Sequence, residues 1–61
     1  MDTWPKLGDR VVVRAEAHPF DGRTGEVSSY HAKLDAVFIC FPGVDRPQLV
    51  PTCYLEAINE H

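Results

Sequence analysis

Three histidines, two cysteines and a scatter of carboxylates are the residues of this chain that could do chemistry. His18, His31 and His61 have neither the i, i+4 pairing nor the close loop spacing of a metal site. Cys40 and Cys53 lie 13 residues apart, too far for a paired zinc knuckle, and two cysteines are too few for a disulfide scaffold. Both are read as free thiols, with Cys40 expected to be a small buried hydrophobe. Cys53, beside Tyr54, has no basic neighbour in sequence to activate it. Asp9, Asp21, Asp35 and Asp45 all fall in or next to turns, where short acidic side chains bond the backbone. No carboxylate pair is placed together by sequence, and there is no glycine-rich phosphate loop. These residues therefore point to no metal, no cofactor and no catalytic residue.

Recognition chemistry is better supplied. Aromatic side chains dominate binding hot spots, and Phe20, Tyr30 and Tyr54, with Arg23 at the head of a strand, are the candidate partner-binding surface. Phe20 has a second reading as an anchor of its loop on the core, and Trp4 reads as closing one end of the fold. Tyr54, in a tight turn, is the aromatic most expected to face solvent. The six basic residues stand at 6, 10, 14, 23, 33 and 46. Arg10 and Arg14 share one strand face, but phosphate neutralisation needs clustered cations. With nine acidic residues and a net charge of −3, nucleic-acid binding is expected to be weak at most, and a protein partner or a second copy of the chain is the leading expectation.

The elements that must position these residues are short strands. Apolar residues make up 44% and charged residues 25% of the 61, which describes a globular domain and neither disorder nor a membrane span. The start Met1-Asp2-Thr3-Trp4-Pro5 lacks the regions of a signal peptide, so the cytoplasm is the expected compartment. Five prolines and the lack of helical periodicity argue against helices. Strands are predicted over Arg10–Arg14, Glu26–Tyr30, Ala36–Phe41, Gln48–Val50 and Leu55–Ile58, with Thr52-Cys53-Tyr54 as a single 3-10 turn before the last. The reading is one all-β domain, a closed five-stranded antiparallel small barrel over residues 7–59, with an arm at 1–6 and a tail at 60–61. Alternation predicts a core of Val11, Val13, Val27, Leu49, Leu55 and Ile58. The third strand is apolar on both faces, so one face is left over. It either lies under the loop from Ala15 to Asp21 or packs against another subunit or partner.

Gly8-Asp9-Arg10-Val11-Val12-Val13, then Phe20-Asp21-Gly22-Arg23-Thr24-Gly25-Glu26-Val27, then Val50-Pro51 and Leu55-Glu56-Ala57-Ile58 resemble the KOW-type SH3-like barrels of ribosomal proteins and elongation factors. The paired glycines suit a turn that feeds a strongly bent second strand, through positive φ or close backbone approach. That resemblance implies an SH3-like barrel acting as a non-enzymatic interaction module. Gly8-Asp9-Arg10-Val11, Ala36-Val37, Gln48-Leu49-Val50-Pro51 and Leu55-Glu56-Ala57-Ile58-Asn59 are also similar to the plasmid-borne, trimethoprim-resistant type II dihydrofolate reductases. This second resemblance implies a homotetramer with NADPH and dihydrofolate in a central pore, lined here by Gln48, Leu49 and Val50. Val50 stands where that family has a tyrosine, and Val13 stands where it has a first-strand lysine, so the pore loses its cation and its flat ring.

Overall fold

The computed structural model describes residues 5–58. Trp4, Asn59, His61 and the tail at 60–61 lie outside the described residues. Five strands form: β1 (Arg10–Val13), β2 (Thr24–Tyr30), β3 (Ala36–Cys40), β4 (Gln48–Pro51) and β5 (Leu55–Ala57). A single 3-10 turn, Thr52–Tyr54, separates β4 from β5, and no α-helix occurs among the described residues. The strands make one antiparallel sheet in the order β4-β3-β2-β1-β5. No helix among the described residues is long and apolar enough to cross a membrane.

The sheet order and the short turn together require strong curvature. Flat strands about 4.8 Å apart would hold β4 and β5 roughly 19 Å from each other. The turn joining them has only three residues and advances about 6 Å along its axis. The sheet therefore curls until its two outer strands nearly meet, which makes it barrel-like. The closed barrel expected from sequence is corrected on one point: β4 pairs with β3 and β5 with β1, and no hydrogen-bonded ladder joins β4 to β5. The residues that would have made that ladder are spent in the turn, which carries the chain from one edge to the other.

Curling puts the bend in β2. Its first half pairs with β1 and its second half with β3, and Glu26 is opposite both Arg10 and Cys40. The register then shifts between Val27 and Ser29, leaving Ser28 as the extra residue of a bulge, a device that sharpens local twist. The Ser28 hydroxyl donates to Phe38 O at 3.3 Å. β2 begins two residues earlier than predicted, because Gly25 is a buried strand residue with no side chain to signal it. Gly22, in the turn before it, has φ +82°.

Val11, Val13, Val27, Val37, Ile39, Phe41 and Val50 form the buried core, with Ala15, Phe20, Val44 and Leu55 packed against it. Leu49 was expected in this core and lies outside it, 39% exposed. Val50 is opposite Val37 and Leu49 opposite Phe38, so the two-residue alternation that seals Val50 must turn Leu49 outward. Cys40 is corrected in the same way. It sits opposite outward-facing Glu26 and is exposed. Ile58 is half-buried.

Prolines blunt the β4 edge. Thr52 N–H donates to Asp35 O at 3.0 Å, so in this register the even-numbered residues of β4 bond to β3 and the odd-numbered ones face away. Two of the outward positions are Pro47 and Pro51, which have no N–H, and between them only Leu49 offers a donor. At the N-terminal end of the described chain Pro5 is buried, and the Tyr30 hydroxyl donates to its carbonyl at 2.9 Å.

Arg14 Nε meets Glu56 Oε1 at 3.2 Å, linking β5 to the residue after β1, with the two side chains 65% and 61% exposed. An ion pair so wet contributes little. Glu56→Gln is expected to change stability by less than about 0.5 kcal/mol, checked as a urea midpoint that stays in place.

Candidate functional site

The ten residues from Arg14 to Arg23 join β1 to β2 as a loop folded on itself. Its base is tied to β1 by Gly22 N–H donating to Val13 O at 2.8 Å and by Val13 N–H donating to Arg23 O at 3.0 Å. Inside the loop, Ala15 N–H donates to Asp21 Oδ1 at 2.9 Å, and His18 N–H donates to Ala15 O at 2.8 Å. Asp21 N–H returns to His18 O at 3.0 Å, and Phe20 N–H donates to His18 Nδ1 at 3.1 Å. Asp21 thus plays the backbone-bonding part expected of it, as does Asp9, whose Oδ2 accepts from Lys6 N–H at 3.0 Å. A loop whose backbone groups are satisfied internally holds its shape without a ligand.

Phe20 anchors the loop on the core. Its ring stacks on Phe41 with centroids 4.6 Å apart and planes 7° from parallel. The Arg23 guanidinium lies 5.4 Å from the Phe20 centroid, and its Nη2 donates to Pro42 O at 3.1 Å. Two residues expected on a binding surface are therefore engaged with the fold itself, which leaves Phe20 half-buried and Arg23 exposed but tethered.

The loop faces the 3-10 turn across a shallow cleft of about 330 Å³ lined by Ala15, Glu16, Ala17, His18, Pro19 and Tyr54. Tyr54 is 39% exposed, and the His18 ring meets it edge-on at 6.0 Å and 71°. The same imidazole lies 6.0 Å from the Phe20 ring. Small residues on the loop side leave the hollow, Tyr54 forms its aromatic wall, and Glu16 places a carboxylate on the lining. Of the four surface residues expected from sequence, Tyr54 lines the cleft and Phe20 and Arg23 brace the loop behind it. Tyr30 is not among the lining residues, and its hydroxyl is held by Pro5.

The loop side of the cleft carries little local signal in the sequence. His18 enters the sequence reading only as a possible metal ligand, and Ala15-Glu16-Ala17 carries no motif. A run of small residues within a loop that has Asp21 to bond its backbone and Phe20 to anchor it was the available signal.

The other candidate residues are separated from this cleft. Gln48 is half-buried and its Nε2 donates to Arg46 O at 2.9 Å, Leu49 is exposed, and Val50 is sealed in the core. Gln48 and Leu49 are thus the members of that trio with side-chain surface to offer a second copy. Val13, at the position of the first-strand lysine, is fully buried. Ala36 is opposite Pro51, and Cys40 lies four residues further along β3, about 13 Å away at the rise of a strand. Cys53 follows Pro51 by two residues on the far side, well beyond the roughly 7 Å reach of a disulfide. No group of three or more His, Cys, Asp or Glu is gathered as a metal site among the described residues. Nor is any polar or charged side chain fully buried among them.

The chain matches no known family model, and no curated protein matches it either.

Proposed function

We propose that this chain is a non-enzymatic, SH3-like interaction module of the KOW type that takes an extended segment of a protein partner in the cleft between its first loop and its 3-10 turn. The observation that carries the reading is that the cleft is preformed. One wall is a loop closed by its own hydrogen bonds, the other is Tyr54, and the lining is mostly apolar. Preorganised aromatic and small-residue surfaces suit extended peptides, because little ordering remains to be done on binding. The strand order, the long first loop and the 3-10 turn before the last strand support the SH3-like assignment. At about 330 Å³ the cleft is at the small end of ligand sites, a size for a few side chains. Glu16 on its lining and a net charge of −3 favour a segment that carries a cation.

Selection of a displayed peptide library on the intact chain tests this. Peptides recovered on the wild type are expected to lose at least tenfold in affinity for Tyr54→Ala, the loss of one aromatic hot-spot residue, with the thermal midpoint within a few degrees of wild type. Peptides that bind the variant equally well would place recognition elsewhere. Self-association belongs to the same proposal, with Phe38 and Leu49 opposite each other on the outer face of β3 and β4. A solution mass of one chain at high concentration would remove that part alone.

A further inference from the structure

We propose that His18 is a protonation switch for the cleft: the neutral imidazole holds the loop tip in place beside Tyr54, and the imidazolium releases it. The inference rests on the reading of the cleft as a binding site, although the switch itself is a property of the unliganded chain.

The geometry assigns His18 a state. Its Nδ1 accepts the Phe20 N–H at 3.1 Å, so that nitrogen carries no proton and the ring proton sits on Nε2. That bond crosses from the cleft lining to the residue stacked on the core, because Phe20 is the loop's anchor on Phe41. The ring itself is half-buried between Phe20 and Tyr54, 6.0 Å from each. One side chain thus joins three parts of the site: the loop tip, the loop anchor and the opposite wall.

Protonation reverses the bond. Both nitrogens of an imidazolium are donors, so Nδ1–H would point at Phe20 N–H, donor against donor. The ring must then turn, and in turning it leaves Tyr54. The charged and titratable groups around it decide where it goes. On its own loop, Glu16 shares the cleft lining and is exposed, while Asp21 has its Oδ1 occupied by Ala15 N–H. On the 3-10 turn the facing group is the Tyr54 phenol. Arg23 is held over Phe20 and on Pro42 O, and Arg14 at the loop base is paired with Glu56. The Glu16 carboxylate, which shares the cleft lining with His18, is the acceptor to which the imidazolium would turn. The bond from the Phe20 amide to Nδ1 exists only with the neutral ring, so acidification removes it and the cleft geometry it holds.

His31 provides an internal control. Its Nδ1 also accepts backbone amides, those of Lys33 and Leu34, both at 3.1 Å, but it sits in the loop before β3 and lines no part of the cleft.

The test is an amide and ring titration of the full 61-residue chain, without ligand, from pH 8 to pH 5. The Phe20 amide is expected to lose about fivefold in exchange protection after correction for intrinsic rates, the value of one ordinary hydrogen bond. Ala17 and Tyr54 resonances should move with the midpoint of the His18 ring. His18→Asn, whose side-chain oxygen can accept the same i+2 amide without titrating, should abolish these changes, and His31→Asn should leave them. Flat Ala17, Phe20 and Tyr54 signals while the His18 ring titrates would overturn the proposal, as would movements that survive His18→Asn. If that variant does not fold, long-range proton–nitrogen spectra of the wild type decide at pH 8, because a proton found on Nδ1 contradicts the accepted bond. A selected peptide added at both pH values separates the two readings. Failure to find any cleft-binding peptide removes the proposed function, while the resonances still decide the switch.

Discussion

Gly25→Ala is expected to cost about 3 kcal/mol and to leave a substantial fraction of the chain unfolded at 25 °C. A Cβ at this position would fall inside contact distance of Ile39 Cγ2, 2.8 Å from Cys40 O and 2.9 Å from Phe41 Cδ1. One of these is a backbone oxygen on the neighbouring strand, and another belongs to the ring that stacks on Phe20. None can move away without disturbing either the β2–β3 ladder or the core. A domain of this size holds only about 3–5 kcal/mol in total, so overpacking at one buried point is comparable with its whole stability. Gly22 offers the contrast. Nothing lies within 4 Å of a Cβ there, but its φ is +82°, and a side chain in that region costs roughly 1–2 kcal/mol. Gly22→Ala should therefore fold with a lowered midpoint, whereas Gly25→Ala should show weakened far-ultraviolet dichroism before any denaturant is added. A Gly25→Ala melt within a few degrees of wild type would mean that β3 can withdraw from β2.

That glycine shows which features of the fold could be read in advance. β1, β3 and the 3-10 turn are legible because they carry strong local signals: a β-branched run, the most apolar stretch in the chain, and Pro51, which ends β4 directly before the turn. The two roles foreseen for the paired glycines, positive φ and close approach, fall on Gly22 and Gly25 respectively. Where the reading slipped, the deciding interaction lies across strands. Leu49 and Val50 are equally apolar neighbours, and only the register with Phe38 and Val37 tells which faces inward. Cys40 follows Ile39 in an apolar run and turns outward for the same reason. The open β4 and β5 edges depend on how far the sheet curls, which no local pattern encodes. The cleft is harder still to foresee, since its walls, at His18 and Tyr54, are 36 residues apart in sequence. The hydrogen bonds that shape its loop wall are mainly backbone bonds, indifferent to most side-chain identities.

The junction between core and cleft yields the second large effect. Phe41→Ala should cost about 3–5 kcal/mol, because Phe41 is 3% exposed and removing its ring empties the place where core and loop meet. Phe20 is half-buried and sits on the loop side of the stack, so Phe20→Ala should cost roughly 1–2 kcal/mol and leave a folded sheet with a loosened loop. In the double variant the two losses should not add. Once either ring is gone the stack is gone, and a coupling of about 0.5–1.5 kcal/mol is expected between them. The sign also bears on function, for Phe20 is the residue whose amide His18 holds. Loss of the Phe20 ring alone should weaken peptides selected on the cleft while the sheet stays intact, so the loop and the core can be uncoupled experimentally. Strict additivity in a double-mutant cycle read by urea denaturation would show that the stack carries no energy of its own. The loop would then have to be held by its hydrogen bonds alone, those of Asp21, His18 and Gly22.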